Sequence, residues 1–408
     1  MPSVVPPNYR GSNDASEPVV TPTRFARHVN LTPPPLVLDA GTDDLRAEVR
    51  DFLRHERECG GYTPRVDSWM SGWSPDFSRK LGQRGWLCMA VPKHLGGHGR
   101  TYLDRYVVTE ELLAAGAPVA AHWIADRQVA PALVKYGTPH QQRTYLPGIA
   151  SGETYFAIGM SEPEAGSDLA AVRTRAIETD GGWRLSGTKV WTSGAHRCCA
   201  FFVLARSEPF DPSRRHAGLS QFIVEFDSPG VEIRPIRLLT GEHHFNEVVL
   251  DNVFVPHDMV LGRLGSGWRQ VTSELALERS GPERILSTMP LLNCLPRNEA
   301  DAIDRSALGA IVARAYILRQ LSMAVAGALT DGADVGVAAA VVKDLGTRFE
   351  QDVVEYAAHN ADVPAQPGTT ADFVRLLGEG LMHAPGFTLR GGTNEILRSV
   401  IARELGMR

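Results

Sequence analysis

The feature that most restricts the fold is a change of texture in the middle of the chain. From about Asp39 to Ser151 apolar residues recur at helical spacing, from about Tyr155 to Gly262 they fall into short β-rich runs, and after Trp268 helical spacing returns. In the first segment "LRAEVRDFLRHE" places Leu45, Val49, Phe52 and Leu53 on one face, and "TYLDRYVVTEELLAA" and "QVAPALVKYG" continue the pattern. The middle runs "GWRLSGTKVWTSG", "CAFFVLARS", "SQFIVEF" and "GVEIRPI" are separated by Asp-Gly, Pro-Gly and similar turn signals, which predicts a small barrel or sandwich. The fold class is therefore α+β in three parts: a helical domain over 38–154, a β-domain over 155–268 and a helical domain over 269–408. Residues 1–37, rich in Pro, Ser and Thr, are expected to form a flexible arm, with an arm laid across a neighbouring subunit as the alternative.

Composition removes several function classes. Among 408 residues, 42 Lys+Arg stand against 47 Asp+Glu, so no basic surplus points to nucleic acid. The five cysteines are odd in number and irregularly placed, with Cys198 and Cys199 adjacent, which argues against a disulfide framework or a Cys-x-x-Cys metal site. A reducing cytoplasm is the expected compartment. The first residues lack a basic-then-apolar leader pattern, and no run of about eighteen apolar residues predicts a membrane span.

Common chemical motifs fail in turn. The Gly-rich "LGGHGRTYLD" has Tyr102 in the third glycine position and no βαβ pattern around it, so it reads as a surface turn. In "GEHHFNEV", His243 and His244 are neighbours in a predicted strand and would point to opposite faces, so no metal is expected. More informative is "MSEPEAGSDLAAVRTRA", where Ala165, Gly166 and Ser167 allow close backbone approach and Ser161 and Ser167 offer hydroxyls. The next hairpin, "GTKVWTSG", adds the flat face of Trp191 and the hydroxyl of Thr192, a pair suited to packing and hydrogen-bonding a flavin. Near the C-terminus, "LRGGTNEILRS" has two glycines, Thr393 as a helix N-cap, and Ile396, Leu397, Val400 and Ile401 at helical spacing.

Taken in order, "GMSEPEAGSDLAAVRTRA", "LSGTKVWTSGA", "GEHHFNEVVLDNVFVP" and "GFTLRGGTNEILRSVIAREL" resemble the acyl-CoA dehydrogenase family of flavoproteins, from about Leu45 to Arg408. The resemblance implies a C-terminal four-helix bundle and FAD held between the β-domain, the C-terminal helices and a neighbouring subunit. By the same resemblance Met160 and Ser161 meet the flavin ring, Ser167 lies near FAD and the acyl carrier, Trp191, Thr192 and Ser193 line the isoalloxazine, and Thr393 and Glu395 contact FAD. The family reaction removes an α-proton and a β-hydride from an acyl-CoA or acyl-carrier-protein thioester. It gives the trans-2-enoyl product and passes electrons to an external acceptor such as an electron-transfer flavoprotein.

Many members carry the catalytic base just before the Gly-Thr of the closing helix, where this chain has Gly391 before Gly392-Thr393. A minority place it in a Glu-Arg pair on the first C-terminal-domain helix, and "VTSELALERSGPERILS" supplies Glu278-Arg279 there. Glu274, one turn earlier, and Glu283, five residues on, compete for the role. Pro282 deprives the Glu278 carbonyl of its helical partner, so a kink is expected. Burial beside apolar substrate is expected to raise the pKa of the base. Arg279 is expected near the thioester carrier or the glutamate, and the backbone at Gly391 and Gly392 near the substrate, with the Gly391 N–H donating to the thioester oxygen.

Most relatives follow the Glu-Arg helix with an Arg-x-x-Phe-Gly segment. The corresponding "TMPLLNCLPRNEADAIDRSALG" has no Phe-Gly. Two assemblies are therefore expected as alternatives, a homo-oligomer (dimer or tetramer) and a heteromer with a related chain. Two further functions stay open beside the dehydrogenase: a flavin-dependent monooxygenase or oxidase on the same fold, and a non-catalytic partner subunit.

Overall fold

A computed structural model of the chain describes residues 31–36, 38, 40–295, 305–360 and 372–407. The first helices are α1 (Ala40–Glu58), α2 (Ser68–Ser71), α3 (Pro75–Gln83), α4 (Tyr102–Ala114), α5 (Ala120–Ile124), α6 (Ala130–Tyr136) and α7 (Pro139–Ala150). One π turn, Ala125–Val129, joins α5 to α6. The apolar stripe of α1 is buried as its spacing requires, and Phe52 meets Trp86 edge to face with ring centroids 5.3 Å apart. Thr101 and Thr138 start α4 and α7 through capping boxes. The run "LGGHGRTYLD" is thus a turn with Gly96 and Gly99 at positive φ that leads into a capped helix.

The middle strands are β1 (Phe156–Gly159), β2 (Arg175–Thr179), β3 (Gly182–Lys189), β4 (Ala200–Arg206), β5 (Leu219–Glu225), β6 (Val231–Arg237), β7 (His243–Pro256) and β8 (Val260–Leu261). They form one eight-stranded sheet in the order β6-β7-β3-β2-β4-β5-β8, with β1 parallel to β4. The sheet curls on itself. Trp183 on β3 and Phe222 on β5 are separated by two strands, yet their rings lie 5.7 Å apart inside one apolar core.

The last helices are α8 (Gly267–Ser280), α9 (Met289–Asn293), α10 (Arg305–Thr330), α11 (Gly336–His359), α12 (Asp372–Phe387) and α13 (Asn394–Glu404). Helix α11 packs against α8, α10, α12 and α13, burying Ala339, Val342, Phe349 and Val353. Among the described residues α10 alone is long and apolar enough to span a bilayer. Its Ile311, Leu318 and Val325 instead share a core with Leu45 and Phe52 of α1, Val107 of α4 and Phe349 of α11. The N-terminal and C-terminal helices therefore pack as one body. Of the arm expected over 1–37, residues 1–30 and 37 lie outside the described residues, while Leu36 packs against Met323 and Ala326 of α10.

Candidate active site

Helix α8 is fixed to the β-domain at its start, where the Gln270 amide donates to the Leu261 carbonyl at 2.7 Å. Its end departs from the expected kink. The helix stops at Ser280, Gly281 is extended, and the Glu278 carbonyl accepts from Arg284 Nε at 3.1 Å. Pro282 has no N–H to give, so a side chain replaces the missing backbone donor.

The same guanidinium holds the Glu278 carboxylate, with Arg284 Nη2 2.8 Å from Oε1, and Gln128 Nε2 lies 3.4 Å from Oε2. Burial pushes the Glu278 pKa up, but Arg284, Arg127 and Arg279 outweigh it and hold the group below the ordinary carboxylate range. This reverses the expected upward shift: the carboxylate is kept ionised by a cage of arginines. Arg284 also stacks on Trp69 at 5.0 Å, an indole that faces Arg127 at 5.3 Å and Arg390 at 4.5 Å. The competing glutamates have other surroundings. Glu283 is engaged in a buried ion pair with Arg127 at 2.5 Å. Glu274 is buried and burial drives its pKa up to about 8, with the Gln221 amide beside it but no hydrogen bond of normal geometry.

The turn before α13 closes over Glu278. Gly391 and Gly392 have φ of +70° and +88°, a region that favours glycine. A Cβ at position 391 would lie 2.7 Å from Arg284 Nη2 and 3.0 Å from Glu278 Oε1. A carboxylate on α8 thus lies beside the closing turn, in the space that a side chain at position 391 would enter. Arg279 Nε donates to the Gly391 carbonyl at 2.9 Å. Buried Lys343 donates to the Thr388 and Gly392 carbonyls and to Asn394 Oδ1 at 3.2, 2.8 and 2.7 Å. Thr393 caps α13 by accepting from the Ile396 N–H. Glu278, Arg279, Gly391, Gly392 and Thr393 therefore stand together, while Glu395 is exposed on the first turn of α13.

A second group forms at the end of β3. The Val190 N–H donates to the Ser161 carbonyl at 2.9 Å, and buried Glu162 accepts from Lys189 Nζ at 2.8 Å and Thr174 Oγ1 at 2.6 Å. These bonds bring Met160 and Ser161 to Trp191 and Thr192. Trp191 has φ of 59°, 54 % of its surface exposed, and an edge contact with Phe245 at 5.6 Å. The Thr192 hydroxyl is buried with no partner among the described residues. An exposed indole beside an unpartnered buried hydroxyl fits a flat heteroaromatic ring such as a flavin. Ser193 is half-buried and Ser167 is exposed on the preceding loop.

Sequence reasoning missed Arg127, Gln128 and Arg284. The first two sit in the π turn, whose residues are all buried. Three consecutive polar residues inside "HWIADRQVAPALV" were the available signal. A further missed cluster ties the turn to the N-terminal helices: Arg390, next to Gly391, grips Asp67 through two bonds of 2.6 and 2.8 Å, and His383 Nδ1 lies 3.0 Å from the same carboxylate. Asp67 is fully buried, yet Arg390 and His383 overcome the desolvation and bring its pKa down to about 2. Burial opposes protonation of His383, but Asp67 and Glu242 raise its pKa to about 9.

Comparison with known proteins follows the same three-part order. The description "Acyl-CoA dehydrogenase, N-terminal domain" matches residues 40–153, "middle domain" 157–253 and "C-terminal domain" 300–406. The acyl-CoA dehydrogenase FadE34 of Mycobacterium tuberculosis is 36 % identical over 317 residues, covering 76 % of this chain, which spans 43 % of that protein. The acyl-CoA dehydrogenase IpdE1 of Mycobacterium tuberculosis is 36 % identical over 346 residues, 81 % of this chain and 87 % of that one. Among solved structures, the Tcur3481-Tcur3483 steroid ACAD has a TM-score of 0.78 at 30 % identity, covering 91 % of this chain and 99 % of that one. The ChsE4-ChsE5 complex from Mycobacterium tuberculosis has a TM-score of 0.76 at 27 % identity, covering 92 % and 100 %. Heteromeric complexes thus occur among the relatives, and the chain belongs to the acyl-CoA dehydrogenase family of oxidoreductases.

Proposed function

We propose that the chain is an FAD-dependent dehydrogenase of acyl thioesters in which Glu278 takes the α-proton. The observation that carries this reading is the position of the Glu278 carboxylate, held by Arg284 at 2.8 Å and 3.0 Å from where a Cβ at Gly391 would stand. FAD, when bound, supplies the acceptor for the β-hydride. Met160, Ser161, Trp191, Thr192 and Ser193 would hold it from the β-domain, Thr393 and Glu395 from α13, and Ser167 from the loop that also faces the acyl carrier. The Gly391 N–H, which no described residue accepts, is available to a thioester oxygen and would stabilise the charge that develops there. Arg279 holds that glycine by its carbonyl, and Arg284 keeps Glu278 ionised and aimed.

The names of the steroid ACAD and of the ChsE4-ChsE5 complex favour a bulky acyl-CoA substrate and a related partner chain. Val312, Tyr316 and Ile317 leave an exposed apolar face on α10 that such a partner, or a second copy, would cover. Free thiols at all five cysteines agree with a cytoplasmic home. The test is a visible spectrum of the purified protein followed by anaerobic titration with acyl-CoAs. Flavin bleaching without oxygen is expected. Peroxide or hydroxylated product in air, without an external acceptor, favours an oxidase or monooxygenase instead. A colourless protein that gains flavin only with a second chain identifies a partner subunit.

A further inference from the structure

One buried ionisable group has no place in the chemistry above. Glu274 is 2 % exposed, and among the described residues neither of its carboxyl oxygens has a hydrogen-bond partner of normal geometry, the adjacent Gln221 amide being equally unpaired; the glutamate lines a cavity of about 850 Å³. The cavity lies between α4, α6, α8 and the turn after α10, with Met89, Tyr106, Ala132, Leu277 and Pro282 in its wall. Its size suits a bulky group rather than a short chain. A buried polar group without a partner destabilises a fold, and an apolar side chain would serve a purely structural wall better. Glu274 and Glu278 are four residues apart on α8, on neighbouring parts of one face and about 6 Å apart along the axis.

We propose that Glu274 is a specificity-determining residue that hydrogen-bonds an oxygen, hydroxyl or carbonyl, carried on the acyl group about one helical turn from the reacting carbon. The proposal rests on the dehydrogenase reading of Glu278. Burial keeps the Glu274 carboxyl neutral at pH 7, and a neutral carboxyl both donates and accepts. It therefore recognises either kind of oxygen without bringing a second charge beside Glu278. An acyl group lacking the oxygen leaves the carboxyl as it stands in the free protein.

The test uses cyclohexylpropanoyl-CoA and its counterpart with a ring hydroxyl para to the side chain. Both are titrated calorimetrically into FAD-loaded Glu278→Gln protein, alone and combined with Glu274→Met or Glu274→Gln. The hydroxylated compound is expected to bind about tenfold more tightly, the worth of one good hydrogen bond. Glu274→Met abolishes the preference, and Glu274→Gln, which also donates and accepts, retains most of it. A preference that survives Glu274→Met, is absent from the start, or is lost equally in Glu274→Gln overturns the proposal, as does failure of both compounds to bind. Anaerobic bleaching of the Glu278-containing protein by the same compounds is read separately. No bleaching with an intact preference overturns the dehydrogenase reading alone.

Discussion

Replacing Arg284 by methionine removes the group on which the Glu278 site depends. Arg284 makes two bonds to Glu278, one to the carbonyl at 3.1 Å and one to the carboxylate at 2.8 Å, with side-chain exposures of 1 % for the arginine and 17 % for the glutamate. Breaking a buried ion pair from one side costs about 3–5 kcal/mol. Arg127 and Arg279 still act on Glu278, so the lower end, about 3 kcal/mol, is the expected loss. Protonation of Glu278 limits the damage, because each unit of upward shift is worth about 1.4 kcal/mol. That escape has a functional cost. Without Arg284, desolvation, already the largest single influence on Glu278, is opposed chiefly by Arg127 and Arg279, the folded pKa rises, and the proposed base is ionised only at higher pH. Stopped-flow flavin reduction by an acyl-CoA across a pH series should show the acid limb displaced upward, with a reduced rate at neutral pH that recovers as pH rises. An acid limb that stays in place at full rate would refute the claim that Arg284 sets the ionisation of Glu278.

Two other perturbations follow from the same geometry. Gly391→Ala forces a Cβ into a left-handed position, about 1–2 kcal/mol for an L-residue, and against Arg284 and Glu278. Its melting temperature should fall and flavin reduction should slow, both read on the purified variant. His383 has a folded pKa of about 9 against an ordinary 6.5, so its pairing with Asp67 and Glu242 stabilises fully below pH 6.5 and is lost as pH rises through about 9. Asp67→Asn, whose side chain tolerates the φ of 56°, should lower the melting temperature and flatten its dependence on pH across that window.

The parts of this molecule written in local periodicity were legible in its sequence. The α1 stripe, the strand runs that became β3 to β6, and Thr393 as the α13 cap follow from patterns a few residues long. Pro282 announced a break, but not that Arg284 would take over the freed carbonyl, since that depends on the path of the chain after Gly281. The arginine cage was hidden for a related reason. Gln128 and Glu278 are 150 residues apart, and the polar run Asp126-Arg127-Gln128 in an apolar helical stretch marks something unusual without showing which distant group the π turn presents it to. The direction of the Glu278 shift depends on that cage, so burial alone predicted the wrong sign.

Whether Glu278 is the base is read from single-turnover flavin reduction by an acyl-CoA in Glu278→Gln protein. The flavin absorbance is expected to be retained and its reduction slowed by about 10²–10⁴-fold, the usual contribution of a positioned general base. Bleaching at the unaltered rate, with the flavin still bound, would contradict that role.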